Sequence, residues 1–215
     1  MDSGSDAAQA RWLATAERIQ RGLNHDLSNR TAALAAVVAV LDGPDPDLIG
    51  RLAEEVARLE ALLRLKRLLP RIPNAPAEPV MADDLVGDVL ALLTHVADLR
   101  DRPLQAAPLA GVPPLRCRPQ ALQHALLLLL VAVGDAGMPV TLDVSHDDAA
   151  VTFGIGASAG TPREAPGTAD ATAAAAAFLL AEDGALVWPE AGGYRLRLPT
   201  LTALRARARV QAPPG

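Results

Sequence analysis

Between residues 8 and 41 the apolar positions recur at helical spacing. Leu23, Leu27, Leu34, Val38 and Leu41 fall on one side of a helix that contains no proline and a single glycine, Gly22. Asp42-Gly43-Pro44-Asp45-Pro46 stops that helix and turns the chain. A second helix is predicted over residues 47–69, where Leu52, Val56, Leu59 and Leu63 alternate steps of four and three, the seam of a helical bundle. Together they make a long antiparallel hairpin over residues 1–70. Two helices cannot cover both stripes by themselves. The hairpin is therefore expected to dimerise into a four-helix bundle, with packing on a second domain as the alternative.

Arg71-Ile72-Pro73-Asn74-Ala75-Pro76-Ala77-Glu78-Pro79 reads as a linker over residues 71–79. Beyond it, over residues 80–200, the pattern is mixed. A helix is predicted over 81–99, a short strand over 115–117 and a strongly apolar, buried helix over 119–136. Strands follow at 140–145 and 151–155, joined by the turn His146-Asp147-Asp148. Residues 156–167 are a small-residue loop and 168–182 an alanine-rich helix. A last hairpin, 186–188 with 194–198, turns at Gly192-Gly193. Residues 201–215 form a tail, basic at Arg205, Arg207 and Arg209. The fold class is α+β: a helical hairpin, then an α/β sandwich with helices on one face of a mixed sheet.

Composition narrows the chemistry. Half of the 215 residues are hydrophobic, enough for a real core, and only 2% are aromatic. The net charge of −5 argues against a general nucleic-acid binder. The one cysteine, Cys117, excludes an internal disulfide framework or a cysteine metal cluster and reads as a small buried residue. Residues 1–10 have no apolar leader core, and the longest apolar run, 125–133, is far short of the ~20 residues of a spanning helix. A cytoplasmic protein without direct membrane contact is expected.

Candidate chemistry concentrates in Gly22-Leu23-Asn24-His25-Asp26-Leu27-Ser28-Asn29. Arg21, His25 and Asn29 lie four apart and share one helix face, with Ser28 beside them, opposite the leucine stripe. His25 then points outward from an anchored helix. Asp26 can accept a hydrogen bond from one ring nitrogen and leave the lone pair on the other. Arg21 can balance charge on a phosphoryl group, and Asn29 can orient a water or an acyl phosphate. A lone helical histidine is more often a solvated surface residue; here the hairpin and the domain order reverse that reading. Other candidates read as structural: His124 as a core histidine, Asp143, His146, Asp147 and Asp148 as the polar end of a hairpin rather than a metal site, and His95 with Asp98 as a solvated helix end. Arg58, Arg64, Lys66 and Arg67 form a solvated face that would suit an acidic partner.

His25-Asp26-Leu27-Ser28-Asn29 resembles the H-box of bacterial sensor histidine kinases. The hairpin resembles their dimerisation and histidine-phosphotransfer domain, and residues 78–199 resemble, in element order, their ATP-binding domain of the gyrase/Hsp90/kinase type. The resemblance implies that His25 is the phosphoacceptor, Asp26 the acidic residue assisting proton transfer and Asn29 the residue that positions water. Arg30 departs from the pattern, standing where many kinases have proline, so the first helix is expected to be straighter. The nucleotide motifs depart further. Leu128 and Val131 match the two asparagines that hold Mg²⁺ and phosphates, and neither can ligate a hard cation. Ala157 in Gly156-Ala157-Ser158-Ala159-Gly160 matches the adenine-recognising aspartate. Residues 168–173 offer no phosphate cradle, and Gly160 and Gly167 read as loop residues.

The resemblance therefore implies a histidine phosphotransferase shaped like a histidine kinase. A homodimer would relay phosphoryl groups between receiver-domain aspartates of response regulators or a hybrid histidine kinase. It would bind no cofactor itself, Mg²⁺ being held by the receiver. The alternatives are a non-enzymatic adaptor or inhibitor of a kinase or response regulator, and an active kinase with unusual nucleotide contacts.

Overall fold

The computed structural model describes residues 3–41, 43, 45–69, 75–100, 102, 104–109, 111–135, 140–157, 170–190 and 192–211. Gly160, Gly167 and residues 71–74 of the proline-rich stretch lie outside them.

Helices α1 (Ser3–Val40) and α2 (Pro46–Arg67) form the antiparallel hairpin. Asp45 starts α2: its Oδ1 accepts from the backbone N–H of Asp47 (2.9 Å) and of Leu48 (3.3 Å), with Pro46 in the first turn. Arg64, Lys66 and Arg67 occupy its last turn, where cations oppose the exposed carbonyls. The seam differs from the sequence expectation. Leu52 and Leu59 are half-buried, but Leu62 and Leu65 carry the buried end, while Val56 and Leu63 are each 41% exposed. The apolar residues Ile49, Val56 and Leu63, spaced seven apart, run along the outside of α2, and Val38, Val40 and Leu41 are exposed at the hairpin tip.

The second unit begins within the proline-rich stretch. Strand β1 (Glu78–Val80) pairs antiparallel with β3 (Leu115–Cys117). Strands β2 (Leu104–Ala106), β4 (Val140–His146), β5 (Ala150–Ala157), β6 (Leu186–Glu190) and β7 (Gly193–Pro199) build a mixed sheet of order β2-β4-β5-β7-β6, parallel only at β2-β4. Alternation fixes its register: Val140, Leu142, Val151, Phe153, Ile155, Leu196 and Leu198 face the core, while Thr141, Asp143, Thr152, Arg195 and Arg197 are at least partly accessible. The β4-β5 turn is polar as expected. Asp147 Oδ1 accepts from the N–H groups of Ala149 (2.8 Å) and Ala150 (2.7 Å), which hold its carboxyl below the ordinary pKa.

Helices α3 (Ala82–Leu93), α4 (Pro119–Asp135) and α5 (Ala171–Leu179) complete this unit. Helix α4 is apolar nearly all round and is buried nearly all round, enclosed by α1, α3, α5 and the sheet. Besides β1, which falls on the end of the expected linker, three elements differ from the sequence reading. The helix expected over 81–99 ends at Leu93 because the chain turns at Thr94-His95-Val96 before a 3₁₀ turn, Ala97–Leu99, and the turn buries Val96 and Leu99 to 1% exposure. Strand β2 was not predicted; three residues carry too little alternation to read. The basic tail is a helix, α6 (Leu201–Gln211), whose first turn is capped by Thr200 Oγ1 accepting from Ala203 N–H at 3.0 Å.

The N-terminal half of α1 does not stand in solvent. Ala8, Trp12, Thr15, Ile19 and Leu23 form a buried stripe against α4 and α5. Packing on the second unit, the alternative weighed from the sequence, thus covers this half of α1. Arg30, where a proline was the family expectation, sits inside the unbroken α1 and pairs with Glu55 of α2 at 3.2 Å.

Candidate functional site

Helix α1 presents Arg21, His25 and Asn29 to solvent on one face, as their spacing requires. The His25 side chain is 65% exposed. Its Nδ1 lies 3.2 Å from Asp26 Oδ1 and 3.3 Å from Asn29 Nδ2. One nitrogen cannot serve both partners: it donates to Asp26 or accepts from Asn29. Charge decides for Asp26. Burial by itself would raise that carboxyl's pKa, but hydrogen bonds from His95 and His25 and the Arg100 guanidinium outweigh it and hold the pKa below the ordinary value. An ionised Asp26 takes the Nδ1 proton of His25 as a hydrogen bond, which leaves the lone pair on Nε2.

Asp26 is the best-held member of the group. His95 Nδ1 donates to its Oδ2 at 2.7 Å, and Arg100 Nη2 donates to Oδ2 at 2.9 Å and to Oδ1 at 3.1 Å. Both donors come from the turn after α3. His95 is therefore not the solvated residue expected from sequence: its side chain is 13% exposed and committed to Asp26. Gly22 makes the approach possible. A Cβ there would lie 1.7 Å from the His95 carbonyl oxygen, so only glycine lets the turn rest on α1.

Beside His25 lies a pocket of about 360 Å³ lined by Arg18, Arg21, Gly22, Val96, Ala97, Asp98 and Arg100. Arg18 donates to both oxygens of Asp135 at 2.9 Å and to Asp98 at 3.0 Å; Arg21 pairs with Glu17 at 3.0 Å. Three guanidinium groups thus border the face on which His25 stands, each tethered to carboxylates at protein expense and each able to meet an incoming anion. On α2, Arg58 pairs with Glu54 and Glu55, Arg64 with Asp88, and Lys66 donates to Asn24 Oδ1 at 3.1 Å.

The positions matched to a nucleotide site are built differently. Leu128 and Val131 are each 3% exposed and border a cleft of about 190 Å³ whose other wall is Arg11, Ala14, Thr15 and Arg18 of α1. Neither offers oxygen to a hard cation. The carboxylate at this cleft, Asp135, is held by Arg18. These residues do not fit a Mg²⁺-nucleotide. Ala157 ends β5, paired with Val140. Deeper along the same face Trp12 stacks on His124, with ring centroids 3.6 Å apart and planes 17° from parallel. His124 Nε2 donates to the Leu68 carbonyl at 3.3 Å, joining the end of α2 to α4, and burial pushes its pKa down to about 4. Cys117 is buried, its thiol pushed up to about 12 chiefly by that burial.

Sequence reasoning thus named Arg21, His25, Asp26 and Asn29, which the fold brings together, and missed His95 and Arg100, which lie 69 and 74 positions from Asp26. The available signal was Gly22, a lone glycine one turn before His25 inside a helix, where close approach of another segment is the ordinary reason for glycine. Among the described residues no helix is long and apolar enough to cross a membrane.

No protein-family model matches the chain, and no curated protein matches it. Among solved structures it is similar to a histidine kinase from Burkholderia phymatum STM815, at 16% identity and a TM-score of 0.46 over 93% of this chain and 98% of that one. It is similar to the Acinetobacter baumannii histidine kinase AdeS at 15% identity and a TM-score of 0.43, over 85% and 97% of the two chains. A bacterial phosphotransferase gives 15% identity and a TM-score of 0.38 over 86% and 95%.

Proposed function

We propose that this chain is a histidine phosphotransferase of a two-component phosphorelay, taking a phosphoryl group from a receiver-domain aspartate onto His25 and passing it to another receiver. The observation that carries the reading is the state of His25: an exposed imidazole whose Nδ1 is committed to an ionised carboxylate and whose Nε2 has no hydrogen-bond partner among the described residues. In the forward step the Nε2 lone pair attacks phosphorus, the bond from phosphorus to the aspartyl oxygen breaks, and the aspartate leaves as a carboxylate. The ring becomes an N-phosphoryl imidazolium. Its Nδ1–H remains hydrogen-bonded to Asp26, whose charge stabilises the cation. Arg21, with Arg18 and Arg100 nearby, offsets the charge of the transferring group. Mg²⁺ held by the receiver would neutralise the phosphoryl oxygens during transfer. Asn29 is suited to orient the acyl phosphate.

The uncovered apolar residues Ile49, Val56 and Leu63 support a homodimer built through α2. The donor is read as a protein rather than a nucleotide because Leu128 and Val131 lack the chemistry to hold Mg²⁺-ATP.

The test is transfer of label. Wild-type protein and His25→Ala are incubated with labelled ATP alone and with labelled phospho-receivers. Label reaching the wild type from a receiver, and not reaching His25→Ala, is the expected result. Label taken directly from ATP overturns the reading of the second unit. No label from any cognate receiver leaves an adaptor that binds a kinase or response regulator.

A further inference from the structure

We propose that His95 and Arg100, carried by the turn after α3, are positioning residues that hold Asp26 in place and so fix which nitrogen of His25 is free to react. Its catalytic consequence rests on His25 being the phosphoacceptor; the positioning itself does not.

The geometry is a line of groups, His25-Asp26-His95, closed by Arg100. Asp26 places Oδ1 toward His25 Nδ1 at 3.2 Å while its Oδ2 accepts from His95 Nδ1 at 2.7 Å, and Arg100 Nη2 reaches both oxygens at 3.1 and 2.9 Å. An aspartate beside a helical histidine has no intrinsic reason to turn toward it, because adjacent side chains on a helix point about 100° apart. Two donors from another unit supply that reason. They leave the carboxylate with one productive orientation, and its exposure falls to 21%.

The donors are themselves held. Val96 and Leu99 sink into the core at 1% exposure on either side of the turn's middle. His95 N–H bonds to the Leu92 carbonyl at 3.1 Å, and Thr94 Oγ1 donates to the Ala91 carbonyl at 2.7 Å. The His95 carbonyl rests over Gly22, where no side chain can intervene. A functional carboxylate held by side chains on an anchored turn, against a helix with a matching gap, is preorganised rather than adjustable.

The arrangement also gives the second unit a task that needs no nucleotide. Docked on α1, it supplies the partners that set the tautomer of His25. Undocked, Asp26 turns to water, and the imidazole is free to adopt the Nε2–H form, whose reactive nitrogen is blocked by its own proton.

The experiment reads the tautomer first. Nitrogen NMR of His25 is recorded on the wild-type chain, on His95→Ala/Arg100→Ala and on Gly22→Ala, with circular dichroism to verify that each variant is folded. The wild type is expected to hold the Nδ1–H form. The double variant is expected to admit the Nε2–H form and to slow phosphoryl transfer from a receiver about tenfold or more, with little change in the receiver concentration at half-maximal rate. Gly22→Ala, which removes neither donor, is expected to shift the tautomer the same way by displacing the turn. Arg100→Lys, in the presence of His95, is expected to restore most of both signals. A His25 tautomer unchanged in the folded double variant overturns the proposal, even if transfer slows. A tautomer shift in the folded double variant, when the wild type itself accepts no phosphoryl group from any cognate receiver, sustains the positioning role and sinks the phosphoacceptor reading.

Discussion

Around His25, α1 shows solvent Arg21, His25 and Asn29 and passes Asp26 to His95 and Arg100. Around Leu128 and Val131, α4 shows solvent almost nothing: both residues are apolar, and α1 faces them. The two regions lie on neighbouring helices and share Arg18, which lines both pockets. One holds its charged groups with partners; the other is packed with hydrocarbon. A buried polar group without a partner costs more than an apolar one of similar shape. The apolar pair Leu128 and Val131 is therefore stable without polar partners, whereas the buried part of the charge around His25 needs the donors that hold it.

That contrast can be broken at several points. The largest expected effect is on packing. Trp12→Ala removes the ring stacked on His124 and should cost about 3–5 kcal/mol, measured by urea denaturation. A small loss would mean that α1 is not part of the core of the second unit.

The next concerns pH. The His124 pKa is lowered from 6.5 to about 4 by burial, so below pH 6.5 the unfolded chain takes up a proton before the folded one does. Its contribution is whole above about pH 6.5 and is lost as the pH falls through 4, roughly 3 kcal/mol in all. Denaturation at a series of pH values should show that slope, and His124→Phe, which keeps the stack, should remove it.

Smaller is the effect of restoring polarity. Leu128→Asn and Val131→Asn each bury an amide against α1 and should cost about 1–3 kcal/mol in thermal unfolding. Calorimetry on the wild type and on these variants should detect no Mg²⁺-ATP binding, because Arg18 holds the carboxylate of the cleft and α1 forms its other wall. Nucleotide binding by either variant would erase the contrast.

The smallest effect sharpens the other side. Arg21 is 74% exposed and, among the described residues, pairs only with Glu17 one turn away. Arg21→Ala should leave stability within about 0.5 kcal/mol. It should slow phosphoryl acceptance about threefold at low salt, and less at high salt.

The sequence carried much of this molecule because much of it is periodic. The spacing of Leu23 and Leu27 placed α1, the wholly apolar run in α4 announced its burial, and alternation at 140–145 and 151–155 gave a pair of strands whose register followed. The face shared by Arg21, His25 and Asn29 follows from helical geometry alone and needed no tertiary information. Elements without period were lost: β2 is three residues long, and α6 read as a basic tail because its capping Thr200 stood among residues that packing, not pattern, organises. In α2 the buried leucines shifted from Leu63 to Leu62 and Leu65, since a stripe of many leucines does not say which of them meets a neighbour.

What the sequence determined by itself was local: which residues share a helix face, and which positions lack the oxygen to hold a cation. Those depend on covalent geometry and side-chain chemistry within a few turns. What only the tertiary structure decided was the company each side chain keeps. It packed Trp12 on His124, brought His95 and Arg100 across some seventy residues of chain to Asp26 and closed the cleft at Leu128 with α1. Such contacts follow from how whole elements bury their apolar faces, and the helix period around His25 contains no record of it beyond the gap left at Gly22.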